Sequence, residues 1–184
     1  MHDNKPRRSS ISLFGSVKVL VCCALFVAMS IVLGKFLSIK IGDNIRISFE
    51  NLSLILSGIL FGPFVGLVTA VIADVVGCII YGYSINLIIT LGAASIGFIA
   101  GAVAGFSKKK TSLITIAIAV FLAHIVGSMI VKTIGLYIWY PPQRPLLIWR
   151  VPVYLITAAA ETAIIFTLMN SKAFIQQFER FKRK

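Results

Sequence analysis

Acid is what this chain has least of. Its 184 residues hold six Asp+Glu against eighteen Lys+Arg, and charged residues of both signs make up only 13%. Soluble domains are about 25% charged and roughly 45–50% apolar, whereas 58% of this chain is hydrophobic. Such a composition excludes a disordered chain and a soluble enzyme. Cysteine is scarce too. Cys22, Cys23 and Cys78 lie within apolar runs and lack the spacing of a metal site or disulfide framework, so each reads as a small packing residue. Of the two histidines, His2 is near the chain start, and His124 stands alone in an apolar run as a hydrogen-bonded packing residue. The chain has no HExxH, no nucleophile paired with a histidine and no Walker loop. Neither enzymatic chemistry nor a metal or cofactor is expected of it. A net charge of +12 would suit nucleic acid, but the basic residues gather at the chain ends and between apolar runs. That distribution fits a bilayer partner and no nucleic acid.

What remains is an all-α integral membrane protein. A helix needs about 20 residues to cross the hydrocarbon. Residues 19–34 form a first span between Lys18 and Lys35, and Gly34-Lys35-Phe36 offers no small-residue cleavage site for a secretory signal. From Asn51 to Ser107 the one side chain charged at neutral pH is Asp74, and breakers at Gly62-Pro63 and at Tyr81-Gly82-Tyr83-Ser84 divide that stretch into three. Residues 111–131 and 151–170 complete a compact bundle of six transmembrane helices over 18–170, flanked by a tail at 1–17 and a basic amphipathic tail at 171–184. With six crossings, one set of loops and tails holds twelve Lys/Arg and the other holds five: Lys35, Lys40, Arg46, Arg144 and Arg150. The positive-inside bias then places both the N- and C-termini in the cytoplasm. The tail from Phe174 onward, with aromatics among basic residues, suits the anionic leaflet.

Ionisable groups at bilayer depth cost roughly 2.5–3.5 kcal/mol each on insertion scales, so they face protein or water. Asp74 reads either as a ligand contact or as a structural partner for freed backbone groups or Lys132. On the last span Arg150, Tyr154, Thr157 and Glu161 are spaced 4, 3 and 4 and share one helix face. A polar stripe of that kind suits a buried hydrophilic ligand, or hydrogen bonds between helices. Segment 137–150 contains Trp139, Tyr140, Arg144 and Arg150 among three prolines. It reads as an interfacial aromatic belt, or as a stiff loop that stacks on a flat anionic molecule. The alternation Ile45-Arg46-Ile47-Ser48-Phe49 favours an extended segment able to cap a cavity with Arg46 pointing in. Asn86 and Thr90, one turn apart, add two neutral hydrogen-bonding groups on the same outer half. Small residues recur at four-residue intervals elsewhere: Ala24 and Ala28; Gly58, Gly62 and Gly66; Ala93, Gly97, Gly101 and Gly105. That interval lets helices approach closely, within the bundle or against a partner.

Four stretches together resemble the substrate-binding S components of energy-coupling-factor (ECF) vitamin transporters, the folate-specific members above all. They are Ala24–Ala28; Ile41-Gly42-Asp43-Asn44-Ile45-Arg46-Ile47-Ser48-Phe49; Gly58–Gly66 leading into Ala73-Asp74-Val75-Val76-Gly77; and Ile85-Asn86 through Gly101. Relatives that take queuosine precursors or other vitamins share much of this pattern. The resemblance implies a six-helix binding protein that captures its vitamin from outside. It further implies a membrane coupling (T) subunit, docked at Ala24 and Ala28, and two cytoplasmic ATPase subunits that drive release inward. For folate, Glu161 or Asp74 would meet the pterin, and Trp139, Tyr140 and Tyr154 would stack on the rings. Arg46, Arg150 and Arg144 would hold the dicarboxylate tail. An autonomous secondary transporter is the competing reading, and the chain has no convincing internal repeat to favour it.

Overall fold

The computed structural model describes residues 17–41, 45–107 and 109–183, with side chains except at 35, 40, 41, 45, 46, 142–144 and 178–183. Among the described residues the protein is helical apart from one short hairpin. Helix α1 (Val17–Phe36) leads into strands β1 (Ile39–Ile41) and β2 (Ile45–Ile47), which pair antiparallel with Lys40 opposite Arg46. There follow α2 (Glu50–Phe61), α3 (Pro63–Tyr81) and α4 (Leu87–Phe106). Next comes a continuous rod of α5 (Leu113–Ala123), a π-helical turn (His124–Val131) and α6 (Lys132–Trp139). A 3₁₀ stretch (Pro141–Trp149), α7 (Arg150–Asn170) and α8 (Lys172–Arg183) complete the chain.

Both expected breaks are present. Gly62 ends α2 with φ of 98°, a backbone that disfavours any side chain, and Pro63 starts α3 where its missing N–H costs nothing. Gly82 closes α3 in the left-handed region at φ 72°. The segment at Ile45–Ile47 is extended, as its alternation suggested.

Against six expected crossings, five helical rods among the described residues are long and apolar enough to traverse a bilayer: Val17–Gly34, Pro63–Tyr81, Leu87–Phe106, Leu113–Trp139 and Pro145–Asn170. Helix α2 has 12 residues, about 18 Å against a hydrocarbon core of about 30 Å. Its environment accounts for its brevity. Nearly every residue from Asn51 to Phe61 is buried, so α2 is a central helix sheathed by protein. The core gathers around it: Ile55, Ile59, Ile96, Ile116 and Ile165 are almost wholly inaccessible. Exposed Leu, Ile, Val and Phe side chains cover the outer faces of the long rods, the inverse of a soluble protein.

Backbones come closest where α2, α3 and α4 cross. A Cβ on Gly58 would collide with the Gly97 carbonyl, one on Gly66 would stand 2.7 Å from the Gly58 Cα, and one on Gly101 would strike the Gly62-Pro63 turn at 2.5–2.6 Å. Three helices therefore meet through four glycines, as the four-residue interval anticipated. Gly105 differs, with open space beside it.

Candidate functional site

At the opposite end of the bundle α1, α3 and α6 finish while α2, α4 and α7 begin, and those ends enclose a cavity of about 640 Å³. Its wall includes Asp74, Asn86, Lys132, Tyr140, Arg150 and Tyr154, together with Ser30, Glu50, Asn51, Tyr81 and Tyr83. Ser48, just after β2, also lines it, so the hairpin adjoins the cavity from the loop side.

The polar groups are held in place by the helices that carry them. Asn86 caps α4: its Oδ1 accepts from Ile88 N at 3.0 Å and Ile89 N at 3.2 Å. That bond fixes the amide so that Nδ2 is the remaining donor, and Nδ2 has no partner among the described residues. Asn51 Oδ1 is likewise buried and unpartnered among them. A buried polar atom without a partner costs about 1–3 kcal/mol, and a ligand that supplies one recovers it. Asp74 Oδ2 accepts from the Thr90 hydroxyl at 2.7 Å, and the same hydroxyl lies 3.1 Å from the Asn86 carbonyl, which makes Asp74 and Asn86 neighbours. Lys132 pairs with Glu50, Nζ to Oε1 at 3.9 Å, and not with Asp74. Its aliphatic stem runs past Gly92, where a Cβ would stand 2.6 Å from Lys132 Cγ.

Arg150 is tethered from three directions. Its Nε donates to Thr133 Oγ1 at 3.0 Å, and Nη2 donates to the Ser128 carbonyl at 3.0 Å and to Tyr154 Oη at 3.2 Å. The guanidinium carbon lies 4.9 Å from the centre of the Tyr154 ring. Two closures hold α1 to its neighbours: Ser30 Oγ donates to the Glu50 carbonyl at 2.8 Å and Tyr81 Oη to the Ile31 carbonyl at 2.6 Å. The arrangement offers acids, cations, amides and phenols around one hollow.

A bundle with an amphipathic hollow at one end has known counterparts. The profile of the ECF-type riboflavin transporter S component matches residues 14–174. The chain belongs to this S-component family. It is 30% identical over 129 residues to the folate transporter FolT of Clostridium novyi (strain NT), spanning 66% of this chain and 70% of that protein. Among solved structures it resembles FolT bound with folic acid, with a TM-score of 0.69 at 23% identity, covering 84% of this chain and 94% of that one. It also resembles the S component of a bacterial ECF transporter, with a TM-score of 0.61 at 19% identity over 91% and 98% of the two chains. At such identities the structural likeness establishes the fold alone.

Within this S component, five of the residues singled out from sequence come together at the cavity: Asp74, Asn86, Tyr140, Arg150 and Tyr154. Two do not reach it. Trp139 is 58% exposed on the outer surface, where an interfacial aromatic belongs. Glu161 is fully buried and faces His124, with Nε2 and Oε2 2.6 Å apart. Helical spacing put Glu161 on the face of Arg150 correctly, but it sits about 16 Å further along the axis, beneath the cavity. The side chains of Arg46 and Arg144 lie outside the described residues. Ala24 and Ala28 are exposed on the outer face of α1, with Val21 and Leu25 beside them. Sequence reasoning did not assign Lys132, Glu50, Asn51, Tyr81 or Tyr83 to the site. Lys132 did carry a signal, since a cation inside an apolar run is itself a pointer to a polar interior.

Proposed function

We propose that this S component binds folate from outside the cell and passes it to an ATP-driven ECF complex. The observation that carries the reading is a single hollow that presents Asp74, Lys132, Arg150 and four tyrosines, Tyr81, Tyr83, Tyr140 and Tyr154, to one molecule. Its volume of about 640 Å³ falls within the roughly 300–1,000 Å³ typical of small-molecule pockets. Folate offers a flat pterin with a row of donors, an aromatic linker and a dicarboxylate tail. Asp74 suits the donor edge, the phenol rings suit the flat parts, and Arg150, with Arg46 of β2 and Arg144 of the 3₁₀ stretch, suits the tail. The similarity to FolT of Clostridium novyi supports the same ligand.

The family profile is named for riboflavin, which makes a flavin the second reading. Flavin chemistry shares the planar ring but lacks a dicarboxylate, so it gives the arginines nothing comparable to hold. Titration of the purified protein with folic acid and with riboflavin separates the two. Folic acid is expected to bind without ATP and more tightly than riboflavin. Arg150→Ala should weaken folic acid binding about 10- to 100-fold, the range of a lost charge-assisted bond. Tighter binding of riboflavin, or folic acid affinity unchanged in Arg150→Ala, overturns the folate assignment.

In this reading the chain crosses the bilayer six times, with α2 making the second crossing inside its protein sheath and both termini cytoplasmic. The alternation of helix ends at the cavity and the bias of twelve Lys/Arg against five support that topology. Ala24 and Ala28 dock the coupling T subunit, and two ATPase subunits supply the energy. Vesicles holding the S component alone should then take up no folate. Uptake by the lone chain would favour a secondary transporter.

A further inference from the structure

Beneath the cavity lies a buried polar cluster that the ligand contacts above leave unused. His124 opens the π-helical turn, and both it and Glu161 on α7 are wholly inaccessible. His124 Nε2 is 2.6 Å from Glu161 Oε2, and its Nδ1 is 3.2 Å from Ser128 Oγ. Glu161 Oε1 makes no hydrogen bond of good geometry among the described residues, though the Leu52 backbone N–H at the start of α2 is near the carboxyl. Burying an ionisable pair in a bilayer protein is costly, and a well-packed apolar pair of similar volume often does as well or better for stability. Stability alone is therefore a weak account of the pair.

The neighbours of the pair indicate what that is. The imidazole lies against the Tyr154 ring, centroids 5.3 Å apart and planes tilted 32°. Ser128, which meets His124 through its hydroxyl, accepts through its carbonyl from Arg150 Nη2 at 3.0 Å and from Thr133 Oγ1 at 3.2 Å. Thr133 in turn accepts from Arg150 Nε. The buried pair therefore reaches Arg150 by two routes, through the Tyr154 ring and through Ser128. Both His124 and Ser128 belong to the π-helical stretch, four residues apart.

We infer that His124 and Glu161 are positioning residues for the binding site. The carboxylate fixes the plane of the imidazole, the imidazole seats the Tyr154 ring and Ser128, and these aim the Arg150 guanidinium at the cavity. Neither residue touches the ligand. The inference rests on Arg150 being a ligand contact, as in the folate reading above.

Replacing both partners together, His124→Leu with Glu161→Leu, removes the pair while keeping apolar volume. This variant is expected to melt within a few degrees of the parent yet bind folic acid at least 10-fold more weakly. In an Arg150→Ala background the same double replacement should weaken binding less than it does in the parent, the remainder acting through the Tyr154 ring, which itself lines the cavity. Titration into the millimolar range keeps the weak variants measurable. A readout without ligand accompanies it: the ¹⁵N resonance of Arg150 Nε, held by Thr133, should shift or broaden in the double variant. Should the double variant fail to fold, Glu161→Gln and Ser128→Ala take its place in the same measurements. Parent-like affinity, effects that multiply with Arg150→Ala, or an unmoved Arg150 resonance would each overturn the positioning role. Failure of the parent to bind folic acid sinks the folate reading instead and leaves the resonance as the deciding measurement.

Discussion

The two ends of this bundle are built on opposite principles. Where α2, α3 and α4 cross, Gly58, Gly66, Gly97 and Gly101 bring main chain against main chain, and no space is left for another carbon. Where the same helices meet the cavity, long polar side chains stand apart around a hollow of about 640 Å³. Lipid tails are as apolar as leucine, so close packing is the main force that can hold helices together in a bilayer. The glycine end supplies that force in concentrated form and allows the other end to remain open. A hollow lined with amide and charged side chains would be unstable without such a base.

The sharpest way to break this contrast is to enlarge a glycine at the crossing. Gly97→Val would drive its side chain into the Gly66 backbone, where even a Cβ collides with the carbonyl group. Backbone cannot rotate away as a side chain can. The expected outcome is loss of folded protein, read as failure to elute as a monodisperse species in detergent, in keeping with a cost above about 4 kcal/mol. A well-folded Gly97→Val would mean that the crossing is looser than described.

At the other end the corresponding change affects binding and spares the fold. Asp74→Asn keeps the shape and can still accept from Thr90, but it removes the negative charge facing the cavity. Folic acid affinity should fall about 10- to 100-fold, since a hydrogen bond to a charged group contributes about 1.5–3 kcal/mol. The melting temperature should move little. If affinity and stability fell together, Asp74 would be scaffold, and the separation of duties between the two ends would fail at that residue.

How much of this was legible in the sequence follows the same divide. The glycine end was, because a four-residue interval of small residues has one main use in a membrane helix. The breaks at Gly62-Pro63 and Gly82 were equally plain, being local backbone chemistry. The cavity was legible only in part. Helical spacing placed Arg150, Tyr154, Thr157 and Glu161 on one face, yet it could not say at what depth the hollow ends or which of Glu161 and Asp74 lines it; Asp74 does, and Glu161 lies beneath with His124. Lys132 and Glu50 meet from helices some eighty residues apart, a juxtaposition that no local pattern encodes. The brevity of α2 escaped for a related reason. A central helix sheathed on all sides looks, in one dimension, like any other apolar span.

A milder test loosens a closure at the cavity rim. Tyr81→Phe deletes the hydroxyl that donates to the Ile31 carbonyl at 2.6 Å and ties α3 to the end of α1. One such bond contributes about 1 kcal/mol net, so the melting temperature should drop by a few degrees. Amide exchange should accelerate near Ile31 before anywhere at the glycine crossing. Equal acceleration at both ends would show that the bundle opens as one unit.

The smallest effect is expected at a glycine that belongs to the same repeat but not to the crossing. Gly105 continues the series of Ala93, Gly97 and Gly101, yet a Cβ built there meets nothing within 4 Å. In water Gly→Ala at such a helical position would stabilise by about 0.4–1 kcal/mol through the entropy of the unfolded chain. In a bilayer the separated helix stays helical, because its backbone has no other hydrogen-bonding partner, and most of that gain disappears. Gly105→Ala should therefore melt within about 2 °C of the parent, a shift well below 1 kcal/mol for a chain of this size, and bind folic acid unchanged. Set beside Gly97→Val, it separates the spacing of the motif from its contacts. If Gly105→Ala were also severe, the interval itself would matter beyond the four glycines that touch, for instance through a partner helix docked at that end of α4.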